Sequence, residues 1–392
     1  MQLAILGRQA KLSLAELEVL FGADSITAID EYAALVSTED PLPQRQLGGT
    51  MKSATVLKRL ESTDLSGAFV YLQEFLPEHF MYLPKGKLQF GVSVYGYKAQ
   101  RDWLLKRMLT LKKVIKKTGQ SVRIIENKAE ALESAQVLYN KLTSELGCEL
   151  LLVKNGTDVL IAQTTAVQNI DDYSQRDFGR PKRDAFVGML PPKLAQIMIN
   201  LAVGTVKEDT PISILDPFCG TGVIPQEALL MGYQAYGTDL SEKMVTYTTT
   251  NLDWLKSAYQ IPSPTYQVEQ GDATNYTWQS PIDAVVCEVY LGKPLTSLPA
   301  QKELQDVMAE SNHITEDFLK NISPQLKSGT KLCVAVPAWS TPQNTFLHLK
   351  MLDHLTDMGY NRLELKHASK HDLIYHRPDQ IVARELILLE KK

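Results

Sequence analysis

The stretch Ile214-Leu215-Asp216-Pro217-Phe218-Cys219-Gly220-Thr221-Gly222 constrains this chain more than any other. Its apolar run (Ile212, Ile214, Leu215) reads as a short buried strand, and a helical pattern follows from Val223 to Met231. A strand that turns through glycines straight into a helix lets the backbone approach a ligand at the carboxyl end of a parallel strand. A second strand, Ala235 to Thr238, ends in Asp239, about 20 residues beyond the first glycine, where a carboxylate meets ribose hydroxyls. Pro225 stands where a dinucleotide fingerprint wants a third small residue. The close helix–strand contact of that fingerprint is therefore not expected, and the guest expected here carries no pyrophosphate.

Strand and helix patterns alternate after this turn. Ser241 caps a helix running to about Ala258; Tyr266 to Ala273 is a strand ending in an acidic turn; Ile282 to Cys287 is an apolar strand leading into Glu288-Val-Tyr-Leu-Gly-Lys-Pro294. Lys302 to Asn321 and Thr345 to Met358 read as helices, Thr330 to Val336 and Arg362 to His367 as strands, with a hairpin-like pair around Arg377-Pro378-Asp379. Such alternation implies an α/β, Rossmann-like, mostly parallel sheet closed by an antiparallel C-terminal hairpin. Four strand ends then converge on one edge: Asp216 with Gly220 and Gly222, Asp239, Asp272 with Ala273, and Glu288 to Gly292. A glycine turn, a ribose acid, an acid able to meet an adenine amine and a polar final loop suit a nucleoside cofactor without pyrophosphate. S-adenosylmethionine meets that description.

The upstream half has a different character. Residues 1–200 carry 25 basic and 22 acidic side chains, whereas residues 201–392 carry 16 and 23. Within Lys98 to Lys128, ten Lys/Arg stand against only Asp102 and Glu126, a local field suited to a polyanion. Leu88 to Tyr95 alternates as a half-buried strand. Asp102 to Lys117 is a helix with Leu104, Met108, Leu111 and Ile115 inward and Lys106, Lys113 and Lys117 outward, and Gly119 lies past its end. A strand (Ser121 to Ile125), a helix (Ala129 to Leu146) and two strands around Asn155-Gly156 complete the pattern. Further upstream lie a strand (Leu3 to Leu6), a helix opened by Ser13 with Glu16 in capping-box spacing, and a strand from Thr50 to Leu60. A solvated lysine face explains the basic helix as well as nucleic-acid binding does. Asp171 to Pro192 reads as an exposed linker whose Arg176, Arg180, Lys182 and Arg183 extend that basic surface, and Pro191-Pro192 opens a helix from Lys193 to Ala202.

No run of about eighteen apolar residues occurs, so no membrane span is expected. The first residues lack a basic leader, which makes the cytoplasm the expected compartment. Cys148, Cys219, Cys287 and Cys333 lie far apart without a C-x-x-C pair, so neither a metal site nor a disulfide framework is expected. Nothing in the sequence sets the oligomeric state.

Asp216-Pro-Phe-Cys-Gly-Thr-Gly222 resembles the cofactor motif of class I methyltransferases, in the form found in RNA methyltransferases. Asp177-Phe-Gly-Arg-Pro-Lys-Arg-Asp184 with Gly188-Met-Leu-Pro-Pro-Lys-Leu-Ala195 is similar to the linker and first helix of THUMP-domain tRNA guanine-N2 methyltransferases. Gly91-Val-Ser-Val-Tyr-Gly96, the basic helix, Ser121-Val-Arg123 and Thr165-Ala-Val-Gln168 resemble that family's THUMP module. The resemblance implies an N-terminal α/β, THUMP-containing RNA-binding region over 1–170, a linker over 171–190, and a class I methyltransferase domain over 191–392. It implies S-adenosylmethionine held by Asp216, Phe218, Cys219, Gly220, Thr221, Gly222, Asp239, Leu240, Asp272 and Ala273. It implies tRNA as partner, met by Lys106, Lys113, Lys117, Arg123, Arg180 and Arg183, and methylation of a guanosine N2 amine.

The family's acceptor loop reads Asp-Pro-Pro-Tyr-Gly, whereas this chain has Glu288-Val289-Tyr290-Leu291-Gly292. Aligned on the glycine, Glu288 takes the acid position, Tyr290 the second proline and Leu291 the tyrosine; aligned on Tyr290, Cys287 takes the acid position. The first alignment keeps a carboxylate, so Glu288, Tyr290, Leu291 and Gly292 are the expected catalytic loop. An aromatic amine is a poor nucleophile, and an acid accepting its N–H bonds orients the lone pair toward the methyl donor. Tyr290 can stack on a flipped base. The altered loop leaves two other readings: an RNA-binding protein with an inactive methyltransferase domain, or an enzyme acting on an adenine amine in RNA or DNA.

Overall fold

The structure, a computed structural model, describes residues 1–184, 190–205, 211–261, 265–279, 281–292, 297–343 and 345–392. Gly188, Met189, Lys293 and Pro294, which belong to stretches read above, lie outside these. The chain forms two units: residues 1–14, 24–45 and 49–172 make one, and residues 15–23, 46–48 and 173–392 the other.

The first unit carries β1 (Gln2–Leu6), β2 (Ile26–Ile29), β3 (Ala33–Val36), β4 (Thr50–Leu60), β5 (Lys87–Tyr95), β6 (Ser121–Ile124), β7 (Gly147–Asn155) and β8 (Asp158–Val167). Among the described residues they form one sheet in the order β2-β3-β1-β4-β8-β7-β5-β6. Its helices are α1 (Ala10–Phe21), whose later residues belong to the second unit, α2 (Leu65–His79), α3 (Arg101–Lys116) and α4 (Ser134–Tyr139). The expected inward stripe of α3 (Leu104, Met108, Leu111, Ile115) is buried in one core with Phe69, Leu72, Phe90 and Val92. Lys106, Lys113 and Lys117 are exposed, as the helical period requires.

Two local expectations give way here. Ser13 lies inside α1 rather than at its cap, and its hydroxyl donates to Gly49 O at 2.8 Å. Glu16, the other half of the supposed capping box, accepts from Gly48 N at 2.9 Å and Asn200 Nδ2 at 2.8 Å. The helix expected over Ala129 to Leu146 shrinks to the short α4, because Glu133 and Gln136 cap a start at Ser134 and Lys141 adopts φ 54°, which ends the helix.

The second unit contains α5 (Ile170–Phe178, from Tyr173 onward), α6 (Pro192–Val203), β9 (Ser213–Asp216), α7 (Val223–Leu230), β10 (Gln234–Asp239), α8 (Glu242–Tyr259) and β11 (Tyr266–Gln270). It continues with β12 (Ala284–Glu288), α9 (Gln301–Ile322), β13 (Lys331–Ser340), β14 (Phe346–Leu347), β15 (Tyr360–Arg362), β16 (Ile374–Tyr375) and β17 (Val382–Lys391). The main order is β11-β10-β9-β12-β13-β17-β15, with β14 on β13 and β16 on β17. Strands β9 to β13 pair in parallel, and β17 enters antiparallel to β13. β9 sits between β10 and β12, so the strand order reverses there; a crevice opens beyond the carboxyl ends at such a point.

Residues 171–184 are not simply an exposed linker. Ile170–Phe178 is helix α5, and Tyr173 and Arg176 are buried. Arg176 forms an ion pair with Glu227 of α7 while its guanidinium lies 4.2 Å from the Tyr173 ring, and Tyr173 donates to Gln196 Oε1 at 2.5 Å. A carboxylate as buried as Glu227 needs a partner cation, which draws this segment into the fold. The longest segment of the second unit runs from Tyr173 to Lys392. The helix expected over Thr345 to Met358 is also absent. That stretch forms β14 and a turn of 3-10 helix at Lys350–Asp353, where Met351 N–H donates to Asn312 on α9 at 2.8 Å. The strand expected to His367 ends at Arg362, and the backbone N–H groups of Lys366 and His367 donate to the Glu18 carboxylate, both at 2.7 Å. Among the described residues no helix is long and apolar enough to cross a membrane.

Candidate functional site

The turn after β9 is held from several directions. Gly220 and Gly222 adopt φ 53° and 84°. A side chain on Gly222 would start 2.8 Å from Thr248 Cγ2 of α8, and Thr248 Oγ1 donates to Gly220 O at 2.8 Å. Cys219 N–H donates to Thr238 O at 2.9 Å, locking the turn to β10. Helix α7 and strand β10 do approach each other closely, contrary to the reading from Pro225. The small residue comes from the strand: a Cβ on Gly237 would lie 3.1 Å from Cys219 Cβ and 3.6 Å from Pro225 Cγ.

The strand ends surround one cavity of about 690 Å³, within the usual range for small-molecule sites of about 300–1,000 Å³. Asp216, Phe218, Cys219, Gly220 and Thr221 contribute from the first turn, and Asp239 and Leu240 from the second. Asp272 and Ala273 follow β11, Glu288 ends β12, and Tyr290, Leu291 and Gly292 follow it. Gly222 does not line the cavity; it is the N-terminal cap of α7. Asp239 Oδ2 accepts from Gly220 N–H and Oδ1 from Ser241 N–H, each at 2.9 Å. Each oxygen keeps a lone pair for a further donor. Asp272 Oδ1 accepts from Thr274 N–H at 3.0 Å and Oγ1 at 2.7 Å. Leu240 is 68% exposed, an apolar surface beside two acids.

Burial pushes the Asp216 carboxyl well above the usual range; the Phe218 N–H opposes the shift, and the charges of Asp239 and Glu288 add to it. Burial raises Asp239 as well, against the pull of its two backbone donors. The Tyr290 phenol rises through burial and the nearby Glu310 charge. The cavity is thus acid-lined, and a cationic guest relieves the repulsion among these groups.

Two contributions were not foreseen. Glu310, His313, Ile314 and Asp317, at i, i+3, i+4 and i+7 on α9, line the wall facing the β12 loop. That spacing was visible in sequence but reads equally as any surface helix. Arg384 on β17 donates from Nε to Glu288 Oε1. Nothing in the sequence relates residues 96 positions apart.

The expected basic contacts divide. Lys106, Lys113, Lys117 and Arg123 are exposed on the first unit. Arg183 is exposed on the second, with its guanidinium 5.0 Å from the Phe178 ring. Arg180 is only 4% exposed, and its Nη1 reaches Thr221 Oγ1 at 3.3 Å. It braces the glycine turn instead of meeting an external phosphate. Arg176 is likewise removed from the basic surface by its pairing with Glu227. All four cysteines are buried and free, and among the described residues no group of His, Cys, Asp and Glu is arranged to hold a metal.

Residues 180–345 match the family model described as UPF0020: RMKL-like, methyltransferase domain. Over 180 residues the chain is 31% identical to the tRNA (guanine(10)-N2)-dimethyltransferase of Methanothermobacter thermautotrophicus, covering 45% of this chain and 47% of that protein. Over 195 residues it is 29% identical to the protein of the same name from Pyrococcus abyssi, covering 47% and 56%. The chain thus spans about half the length of the curated relatives it matches. Among solved structures it resembles TrmN from Thermus thermophilus, with TM-score 0.54 and 16% identity over 100% of this chain and 99% of that one. A possible methylase from Clostridium difficile 630 follows at TM-score 0.51 and 13% identity, covering 98% and 97%. At these identities the two structures establish a shared fold.

Proposed function

We infer that this chain, whose residues 180–345 match a methyltransferase domain of the UPF0020 kind, is an S-adenosylmethionine-dependent tRNA methyltransferase acting on the exocyclic N2 amine of a guanosine. The observation that carries this reading is the convergence of Asp216, Asp239, Asp272 and Glu288, from four successive strand ends, on one cavity.

The donor set fits the cofactor. Asp239 has lone pairs left that would take ribose hydroxyls, and Asp272, the Ala273 backbone and exposed Leu240 line the same cavity and would hold the adenine. The acid lining suits a sulfonium. When bound, S-adenosylmethionine supplies an electrophilic methyl group, whose bond to sulfur breaks as the amine lone pair bonds to carbon, the amine proton leaving to solvent. Glu288 accepts an amine N–H and aims the lone pair, while Tyr290 offers a ring for the base to stack on. A carboxylate has only acceptors to offer, and guanine presents N1–H and the N2 amine side by side. Adenine sets an acceptor nitrogen beside its amine, which an ionised acid repels. That contrast favours guanine over the adenine reading.

The first unit, with exposed Lys106, Lys113, Lys117 and Arg123, is assigned to tRNA binding as a THUMP-like module, and the reaction to the cytoplasm, where tRNA is available. Purified protein incubated with S-adenosylmethionine and unmodified tRNA should yield N2-methylguanosine by nucleoside mass spectrometry. Binding of both partners without any methylated nucleoside would favour the inactive RNA-binding reading, and N6-methyladenosine would redirect the assignment to adenine.

A further inference from the structure

We propose that Arg384 is a positioning residue that holds Glu288 as a singly oriented acceptor for the guanine edge; this rests on the methyltransferase reading above. The register makes the contact possible. Glu288 pairs with Ala335 on β13, and Arg384 of β17 pairs with Pro337, two residues farther along the same strand. Residues in register, and those two apart, share a face of a sheet. Glu288 and Arg384 therefore lie on one face, two strands and about 10 Å of sheet apart. Only Ala335 and Pro337 stand between them on that face, and small side chains there leave a path for the long guanidinium.

The pairing is one-sided. Arg384 Nε engages Oε1, whereas Oε2 has no donor among the described residues, and Glu288 lines the cavity. Side-chain exposures of 9% for Arg384 and 13% for Glu288 place the pair largely out of water, where orientation is well defined. Asp216 from β9, Asp239 from β10, Asp272 after β11, and Glu310 and Asp317 from α9 face the same cavity, with His313 beside them. The ion pair thus supplies from across the sheet the rigidity that two consecutive prolines would give a Pro-Pro loop.

The test compares full-length wild type, Arg384→Gln, Arg384→Lys, Glu288→Gln and the double variant Arg384→Gln/Glu288→Gln on unmodified tRNA. Arg384→Gln should lower kcat by about 10- to 100-fold with KM for tRNA and calorimetric affinity for S-adenosylmethionine changed by no more than about 3-fold, the pattern of lost orientation. Arg384→Lys should recover part of the rate. The double variant should be no slower than Glu288→Gln alone. In chemical denaturation, the two substitutions should be non-additive, which reads the coupling without any turnover. Unchanged kcat in Arg384→Gln beside an active wild type would overturn this inference alone. So would a loss that adds to that of Glu288→Gln and follows unfolding or cofactor affinity. A wild type unable to methylate tRNA would overturn the methyltransferase reading and this inference with it.

Discussion

Gly220 donates its backbone N–H to Asp239 Oδ2 at 2.9 Å, joining the turn after β9 to the acid at the end of β10. The two signals that stand apart in the sequence are thus one structural unit. The turn orients the carboxylate, and the carboxylate in turn satisfies an amide that would otherwise face the cavity. Loss of either disturbs both.

Asp239→Ala should therefore weaken S-adenosylmethionine binding by about 100-fold or more, because it removes a charged acceptor and frees two backbone donors. Isothermal calorimetry measures this directly. An affinity within a few-fold of wild type would show that the ribose acid lies elsewhere.

Glu288→Gln should reduce turnover by about 100-fold while leaving cofactor affinity nearly intact, since the side chain acts on the acceptor and not on the donor. Single-turnover kinetics with saturating tRNA separate the two effects. Parallel loss of cofactor affinity would relocate Glu288 to the cofactor side of the cavity.

The raised carboxyl of Asp216 carries a pH signature. Its folded form holds a proton more tightly than the unfolded chain does, so stability is lost as pH climbs from the unfolded value toward the folded one. Asn cannot ionise and still accepts the Phe218 N–H. Apo Asp216→Asn should therefore melt above wild type at pH 8. That advantage should disappear below about pH 4, where Asp216 becomes protonated in both states. Melting curves across this range decide it, and an advantage independent of pH would point to packing.

Lys106, Lys113 and Lys117 project from α3 and its C-terminal end into solvent. If they meet phosphates, replacing all three with Gln should weaken tRNA binding and reduce the slope of log K against log salt by about 2–3. Filter binding over a salt series measures the slope. An unaltered slope would return α3 to an ordinary solvated face.

Arg176→Met should destabilise the chain by about 3–5 kcal/mol, because it leaves the Glu227 carboxylate buried without its guanidinium partner. Urea unfolding of the full chain is the measurement. A change below about 1 kcal/mol would mean that water reaches Glu227 once the arginine is gone.

The features legible in sequence were those set by local chemistry. Positive φ at Gly220 and Gly222, the alternation of strands and helices and the acids at strand ends depend on neighbours in the chain. The same holds for the buried stripe of α3. The helix expected over Thr345 to Met358 failed because its partner is remote. Its apolar spacing suited a helix, yet a hydrogen bond from Met351 N–H to Asn312 on α9 holds that backbone in another form.

Tertiary structure alone decided where charges went. Arg176 and Arg180 sit in a segment whose composition is that of an exposed basic linker, yet the fold turns one toward Glu227 and the other toward Thr221. Glu288 was legible as the loop acid, but its partner Arg384 was not, since β17 reaches it only by entering the sheet antiparallel to β13. Sequence determines what a short segment prefers, because propensity and turn geometry act over a few residues. Burial and ion pairing are set by whatever the whole chain brings alongside, and at Glu288 that neighbour lies 96 residues away.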